Sequence, residues 1–167
     1  LVEHVLAALS GLQIDNCYVE VNAPEPPGLD GSAQGFVDVL KKAGVELQRA
    51  PRALMSGNSS LVIQHERATL ALHPPDERGL RVSYLLDYGA FSPIARQMHT
   101  EPISPQHFTN NLAGCRTFLL EEEAHELQRR GLGKRTNFTD LLVFGSRGPI
   151  TNKLRFANEP ARHKILD

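Results

Sequence analysis

The order of periodic segments predicts an α+β protein built in two halves. Helix-like and strand-like runs follow one another as α-β-α and then β-β-β-α-β-α. A stretch bearing Pro51, Gly57 and two serines separates the two series. In a chain of 167 residues, 41% hydrophobic content is enough to build a packed core.

Val2, Val5, Leu6 and Leu9 recur at helical spacing, and Ser10-Gly11 supplies a stop in which Gly11 suits a left-handed C-cap. Cys17 to Val21 alternates Cys-Tyr-Val-Glu-Val and predicts a strand, followed by a rigid Pro-rich loop over Asn22 to Gly28. Asp30-Gly31-Ser32 reads as a turn capping the next helix, whose apolar face is Phe36, Val37, Val39 and Leu40. Lys41, Lys42 and Gly44 end that helix in the way C-termini prefer. The predicted organisation is the C-terminal part of a first α+β domain over 1–50, a linker over 51–58 and a second α+β domain over 59–167.

In the second half, Leu61 to Ile63, Ala68 to Leu72 and Leu80 to Leu86 are strand-like runs that predict an antiparallel meander. Phe108 to Leu112 opens a helical region. Glu121 to Arg130 is a helix with its acids preceding its arginines, as the dipole favours, and Gly131 ends it. Leu141 to Phe144 predicts a short strand. Ala157 to Asp167 predicts the last helix, entered through Asn158 as N-cap with Pro160 in its first turn.

Eighteen Lys+Arg against nineteen Asp+Glu give a net charge of -1, with no basic block to track a phosphate backbone, so nucleic acid is not expected as a partner. Cys17 and Cys115 form no C-x-x-C pair and are expected as buried free thiols. No apolar run is long enough to span a membrane, and no charged segment precedes an apolar one as in a signal peptide. A soluble, cytoplasmic, monomeric protein is the expectation. The chain starts at Leu1 within a helical pattern, which reads as a cut edge.

Chemistry points first to the last helix. His163 and Asp167 stand four residues apart, hence on one face, and imidazole nitrogen with carboxylate oxygen suits one side of a zinc or iron site. Such a pair also arises by chance on surface helices, and a site needs a further ligand from elsewhere. His4 is a candidate, and Glu3 beside it could act as general base to water at a metal. By spacing alone, Glu3 and His4 could equally be a dipole-favoured acid and a half-buried histidine. His65, His73, His99, His107 and His125 have no ligand partner at useful spacing and read as surface or packing residues.

Several motifs occur together in one order: Leu1-Val-Glu-His-Val-Leu-Ala-Ala-Leu-Ser-Gly11, Pro27-Gly-Leu-Asp-Gly-Ser-Ala33 leading to Phe36-Val37, Arg116-Thr117-Phe118, Gly131-Leu132, Leu154-Arg155-Phe156 and Arg162-His-Lys-Ile-Leu-Asp167. The chain in this respect resembles the UDP-3-O-acyl-N-acetylglucosamine deacetylases along essentially its whole length. The resemblance implies a zinc-dependent hydrolase of lipid A biosynthesis that removes acetate from UDP-3-O-(3-hydroxyacyl)-N-acetylglucosamine. By motif, His4, His163 and Asp167 match the family's ligands for Zn2+, with Fe2+ the other cation considered. Glu3 matches its general base, and Thr117 a hydroxyl that holds the tetrahedral oxyanion. Lys164 matches a lysine that contacts substrate near the site, and Phe118 a ring that packs on it. The implied fold is two similar sheet-and-helix domains facing each other with the active site in the cleft between them.

The sequence departs from the family pattern in two places. Arg135-Thr136-Asn137 stands where small residues are usual near the acyl-binding region, which bears on acyl-chain preference. Family chains also begin upstream of Val-Glu-His and continue past Asp167 to a further aspartate and a histidine that protonates the leaving amine. The chain is therefore expected to be the middle of a longer protein, and residues 1–167 alone to bind zinc weakly and to deacetylate slowly or not at all. The competing expectation is a noncatalytic member that serves as a nucleotide-sugar, acyl-binding or regulatory module.

Overall fold

The computed structural model describes residues 1–75, 79–131 and 139–167. In chain order its elements are α1 (Val2–Gly11), α2 (Gln34–Ala43), β1 (Leu61–His65), β2 (Ala68–Leu72), β3 (Leu80–Leu86), β4 (Gln97–Ile103), α3 (Pro105–His107) running into a π-helical turn (Phe108–Leu112), β5 (Phe118–Leu120), α4 (Glu121–Arg129), β6 (Leu142–Gly145), β7 (Gly148–Pro149) and α5 (Glu159–Leu166). The architecture is mixed α+β, as the sequence predicts. Among the described residues no helix is long and apolar enough to cross a membrane.

Two compact units are present, one made of Leu1–Val45 with Arg81–Asp167 and the other of Glu46–Leu80. The smaller unit carries the β1–β2 antiparallel hairpin, in register from Leu61 opposite Leu72 to His65 opposite Ala68, with every residue of both strands exposed. Among the described residues the three strands do not form the expected single meander. β1 and β2 make a sheet of their own, while β3 pairs with β4. The sequence hid β4 because Gln97-Met-His-Thr-Glu-Pro-Ile103 lacks an apolar alternation and contains Pro102, a residue confined to edges and strand ends.

The larger unit holds the core, in two clusters. In the first, Ala7 and Ala8 of α1, Val37 of α2, Phe108 and Leu112 of the π-helical turn and Leu166 of α5 pack together with Ala33 and Ala113. In the second, Leu86, Ile94, Phe118, Leu142 and Phe144 pack on Ala161 of α5. β5 and β6 are parallel, from Phe118 opposite Leu142 to Leu120 opposite Phe144, and β7 joins β6 antiparallel. Helix α5 thus touches both clusters, so its position is fixed from both sides.

Local signals explain most helix ends. Gly44 (φ 84°) and Gly131 (φ 74°) take the positive φ that a helix C-terminus favours. Gly11 does not: it stays helical, and the left-handed residue is Gln13 at φ 60°. Gly11 is small for a different reason, since a Cβ there would enter the Phe108 ring. The strand expected at Cys17 to Val21 is also absent. Among the described residues that run has no neighbouring strand, Tyr18 is fully exposed, and Cys17 is exposed rather than buried. Alternation predicts which face a strand would bury; it supplies no partner.

Candidate metal centre

The apolar stripe of α1 sends His4 inward one turn before Ala7 and Ala8, leaving the imidazole 0% exposed and Glu3 at the rim. On α5 the i, i+4 spacing turns His163 and Asp167 toward the same place. The three side chains offer donor atoms that all lie within 4.8 Å of one another. The two imidazoles meet edge to face with centroids 5.4 Å apart.

Thr117 stands between them. Its Oγ1 is 3.0 Å from His4 Nε2 and 3.3 Å from His163 Nε2. The backbone places it firmly, because Thr117 N–H donates to Gly31 O at 2.8 Å and Leu142 N–H donates to Thr117 O at 2.9 Å. The Asp30-Gly31-Ser32 segment is a turn, as expected, with Asp30 Oδ1 accepting from Ser32 N–H and Oγ. Gly31 adopts φ 77°, and a Cβ on it would strike the carbonyl oxygen of Asp140. The turn therefore packs against Asp140 only with glycine at its centre.

A divalent cation suits this arrangement. His163 Nδ1–H donates to Cys115 O at 3.0 Å, which fixes the tautomer of a neutral ring and turns the Nε2 lone pair toward the site. That nitrogen lies 3.3 Å from Asp167 Oδ1, so two lone-pair groups face each other across a gap that calls for a positive charge. A proton is a poor occupant. Burial pushes the His163 pKa down against the pull of Asp167, and burial followed by the neighbouring His163 pushes down that of His4. Two imidazole nitrogens and a carboxylate oxygen match a borderline-soft dication and leave coordination positions open. His4 Nδ1 is buried with no hydrogen-bond partner among the described residues.

The flanking groups are placed as follows. Glu3 Oε1 lies 4.0 Å from His4 Nε2, while its Oε2 is 2.9 Å from the Leu1 amino group. Lys164 Nζ donates to Asp167 Oδ2 at 2.8 Å and sits 5.5 Å above the centre of the Phe118 ring. Burial alone would lower the Lys164 pKa; Asp167 raises it overall. Phe118 is 6% exposed and edge-on to His163 and Tyr88, each at 6.2 Å between centroids.

Sequence reasoning missed three things. Tyr88 joins the aromatic wall from an irregular segment that no periodicity marks. His99 and His107, read without partners, both bond the buried carboxylate of Glu101, at 2.7 and 2.8 Å. Arg116 and Glu159 form a buried ion pair at 2.9 Å; the only local hints are an arginine inside R-T-F and an acid before Pro160. Arg135, Thr136 and Asn137 lie outside the described residues.

Residues 1–167 match the family model described as UDP-3-O-acyl N-acetylglycosamine deacetylase, LpxC. The UDP-3-O-acyl-N-acetylglucosamine deacetylase of Chlamydia muridarum is 38% identical over 167 residues, covering 99% of this chain and 58% of the relative. Those of Nostoc sp. and Thermosynechococcus vestitus are 37% and 36% identical, each over 99% of this chain and over 60% and 56% of the relative. The chain thus spans less than two thirds of the length of these relatives.

Proposed function

Since the chain belongs to the UDP-3-O-acyl N-acetylglycosamine deacetylase family, we propose that it carries the metal centre of a lipid A biosynthesis hydrolase that removes the N-acetyl group from UDP-3-O-(3-hydroxyacyl)-N-acetylglucosamine. The observation that carries this reading is the convergence of His4, His163 and Asp167, with donor atoms within 4.8 Å of one another. These residues would hold Zn2+, with Fe2+ the alternative, and the bound dication would polarise the acetamide carbonyl and acidify water.

The chain's own groups do the rest. Glu3, its carboxyl 4.0 Å from a ligand nitrogen, takes the proton of the attacking water. Thr117 Oγ1 donates a hydrogen bond to the oxyanion of the tetrahedral centre. Lys164 presents its ammonium to substrate, and Phe118 supports it as an apolar surface. The partner is the nucleotide-sugar lipid precursor, and the protein acts as a cytoplasmic monomer. In this reading residues 1–50 end one α+β domain, 51–58 link, and 59–167 belong to a second that faces the first across the substrate cleft.

The experiment is acetate release from UDP-3-O-acyl-N-acetylglucosamine by the full-length protein and its Glu3→Ala variant, with substrate affinity measured on both. The expected result is a loss of release on the order of 10²–10⁴-fold in the variant with affinity kept. Wild-type affinity without any release contradicts the hydrolase and favours the noncatalytic nucleotide-sugar-binding reading.

A further inference from the structure

The helix that carries His163 and leads into Asp167 is tied to the segment before β5 that carries Thr117 by a buried ion pair to which the reaction assigns no step. Glu159, the first residue of α5, is 0% exposed. Its Oε1 accepts from Arg116 N–H at 3.0 Å and from Arg116 Nε at 2.9 Å. Its Oε2 accepts from Arg116 Nη2 at 3.2 Å and from Arg155 N–H at 2.6 Å. Arg116 Nη2 also donates to Lys153 O at 2.7 Å.

Each member sits next to a residue of the site. Arg116 directly precedes Thr117, and Glu159 stands one helical turn before His163, on the same face of α5. His163 in turn bonds Cys115 O, so the segment 115–117 is held to α5 at both Glu159 and His163. A further branch closes the frame. Arg155 sends its guanidinium to Asp30 Oδ2 at 2.7 Å and Gly114 O at 2.8 Å, and Gly31 O receives Thr117 N–H.

We propose that Arg116 and Glu159 are positioning residues, whose fork-on-carboxylate contact sets α5 against the 115–117 segment and thereby holds His163 Nε2 and Thr117 Oγ1 in the mutual placement a dication requires. The inference rests on the metal reading given above. Its physical basis is directionality. Buried ion pairs are poor sources of stability compared with apolar contacts of equal volume. A planar guanidinium on a carboxylate does fix distance and angle, which a functional site needs to within about 0.5 Å.

The test measures zinc affinity and the visible spectrum of the cobalt(II)-loaded protein for wild type, Arg116→Lys and Glu159→Gln, at a temperature where circular dichroism finds each metal-free chain folded. Arg116→Lys keeps the charge and loses the fork; Glu159→Gln keeps the shape and sets an NH2 among donors. Val143→Ala, at a buried position of β6, serves as the control for general destabilisation. The expected result is a zinc dissociation constant raised roughly 10- to 100-fold and an altered cobalt spectrum in both pair variants, neither occurring in Val143→Ala. Folded pair variants with wild-type zinc affinity and spectrum overturn the inference, as do effects equal to those of Val143→Ala. If neither pair variant folds, the pair is structural and the inference is overturned as well. Wild type that binds no dication sinks the metal reading itself, a result distinct from all of these.

Discussion

Replacing Gly11 with alanine puts a methyl carbon where the ring of Phe108 already lies. The new Cβ would be 2.5 Å from Phe108 Cε1 and closer still to Cδ1 and Cγ. Carbon atoms prefer about 3.5–4.0 Å, so the ring or the helix end must retreat by about 1 Å or more. Phe108 is 3% exposed and walled by Ala7, Ala8, Leu112 and Leu166, which leaves it little room. Two effects compete. Alanine gains about 1 kcal/mol over glycine inside a helix, whereas overpacking a filled core costs typically about 1–3 kcal/mol and occasionally more. With three ring atoms struck at once, the high end of the second range applies and the net is a loss of about 2 kcal/mol. Differential scanning calorimetry should then find Tm lowered by about 4–8 °C, at roughly 2–4 °C per kcal/mol for a chain of this size. Trimming the ring in a Gly11→Ala/Phe108→Leu double variant should cost less than the two single changes summed. A Gly11→Ala protein more stable than wild type would refute the reasoning, because helix propensity would then have outweighed the contact.

Three further outcomes follow from the buried groups. Burial alone would raise the Glu101 pKa, but hydrogen bonds from Asn111, His107 and His99 outweigh it and hold it below the ordinary 4.5. Its contribution to stability is therefore present above that value and lost as pH falls through the folded-state value, so Glu101→Gln should lower the urea midpoint at neutral pH and flatten its fall below about pH 4.5. His4 and His163, both depressed chiefly by burial from 6.5, act on a higher window: below pH 6.5 the unfolded chain binds protons first. The metal-free protein should lose stability as pH falls from 6.5, and His4→Phe should lose less; an equal slope in both contradicts the assignment. For the thiols, Cys17 is exposed, while burial and the nearby Glu159 push Cys115 up to about 12. A thiol reagent should consume Cys17 quickly in the native protein and Cys115 only after denaturation; rapid reaction of both in the native state would contradict the buried placement.

How much of this was legible in the residues depends on how local each cause is. Helix α2 could be read because Lys41, Lys42 and Gly44 mark its end within a few residues, and α5 because Pro160 and the spacing of His163 and Asp167 act within a turn or two. The strands could be read only as candidates. Cys17 to Val21 alternates yet pairs with no strand among the described residues, and β4, without alternation, pairs with β3 all the same. Pairing is a long-range choice that a period of two does not encode. Gly11 illustrates a right residue with the wrong cause: its smallness answers Phe108, nearly a hundred positions away, rather than a local turn. At the site, spacing put His163 and Asp167 on one face of α5 but by itself spoke equally for a surface pair, and only the motif joined them to His4 and Thr117. The Arg116–Glu159 pair was legible from neither, since its members are joined by folding rather than by sequence distance.

The central claim is that His4, His163 and Asp167 together hold a dication. Equilibrium dialysis of the purified protein against Zn2+, beside His163→Gln, tests it most directly. Full-length wild type is expected to hold stoichiometric zinc and the variant to bind it with an affinity reduced by orders of magnitude, with far-ultraviolet circular dichroism unchanged. Wild-type protein that retains no zinc, or a folded His163→Gln protein that binds it equally well, would contradict the account.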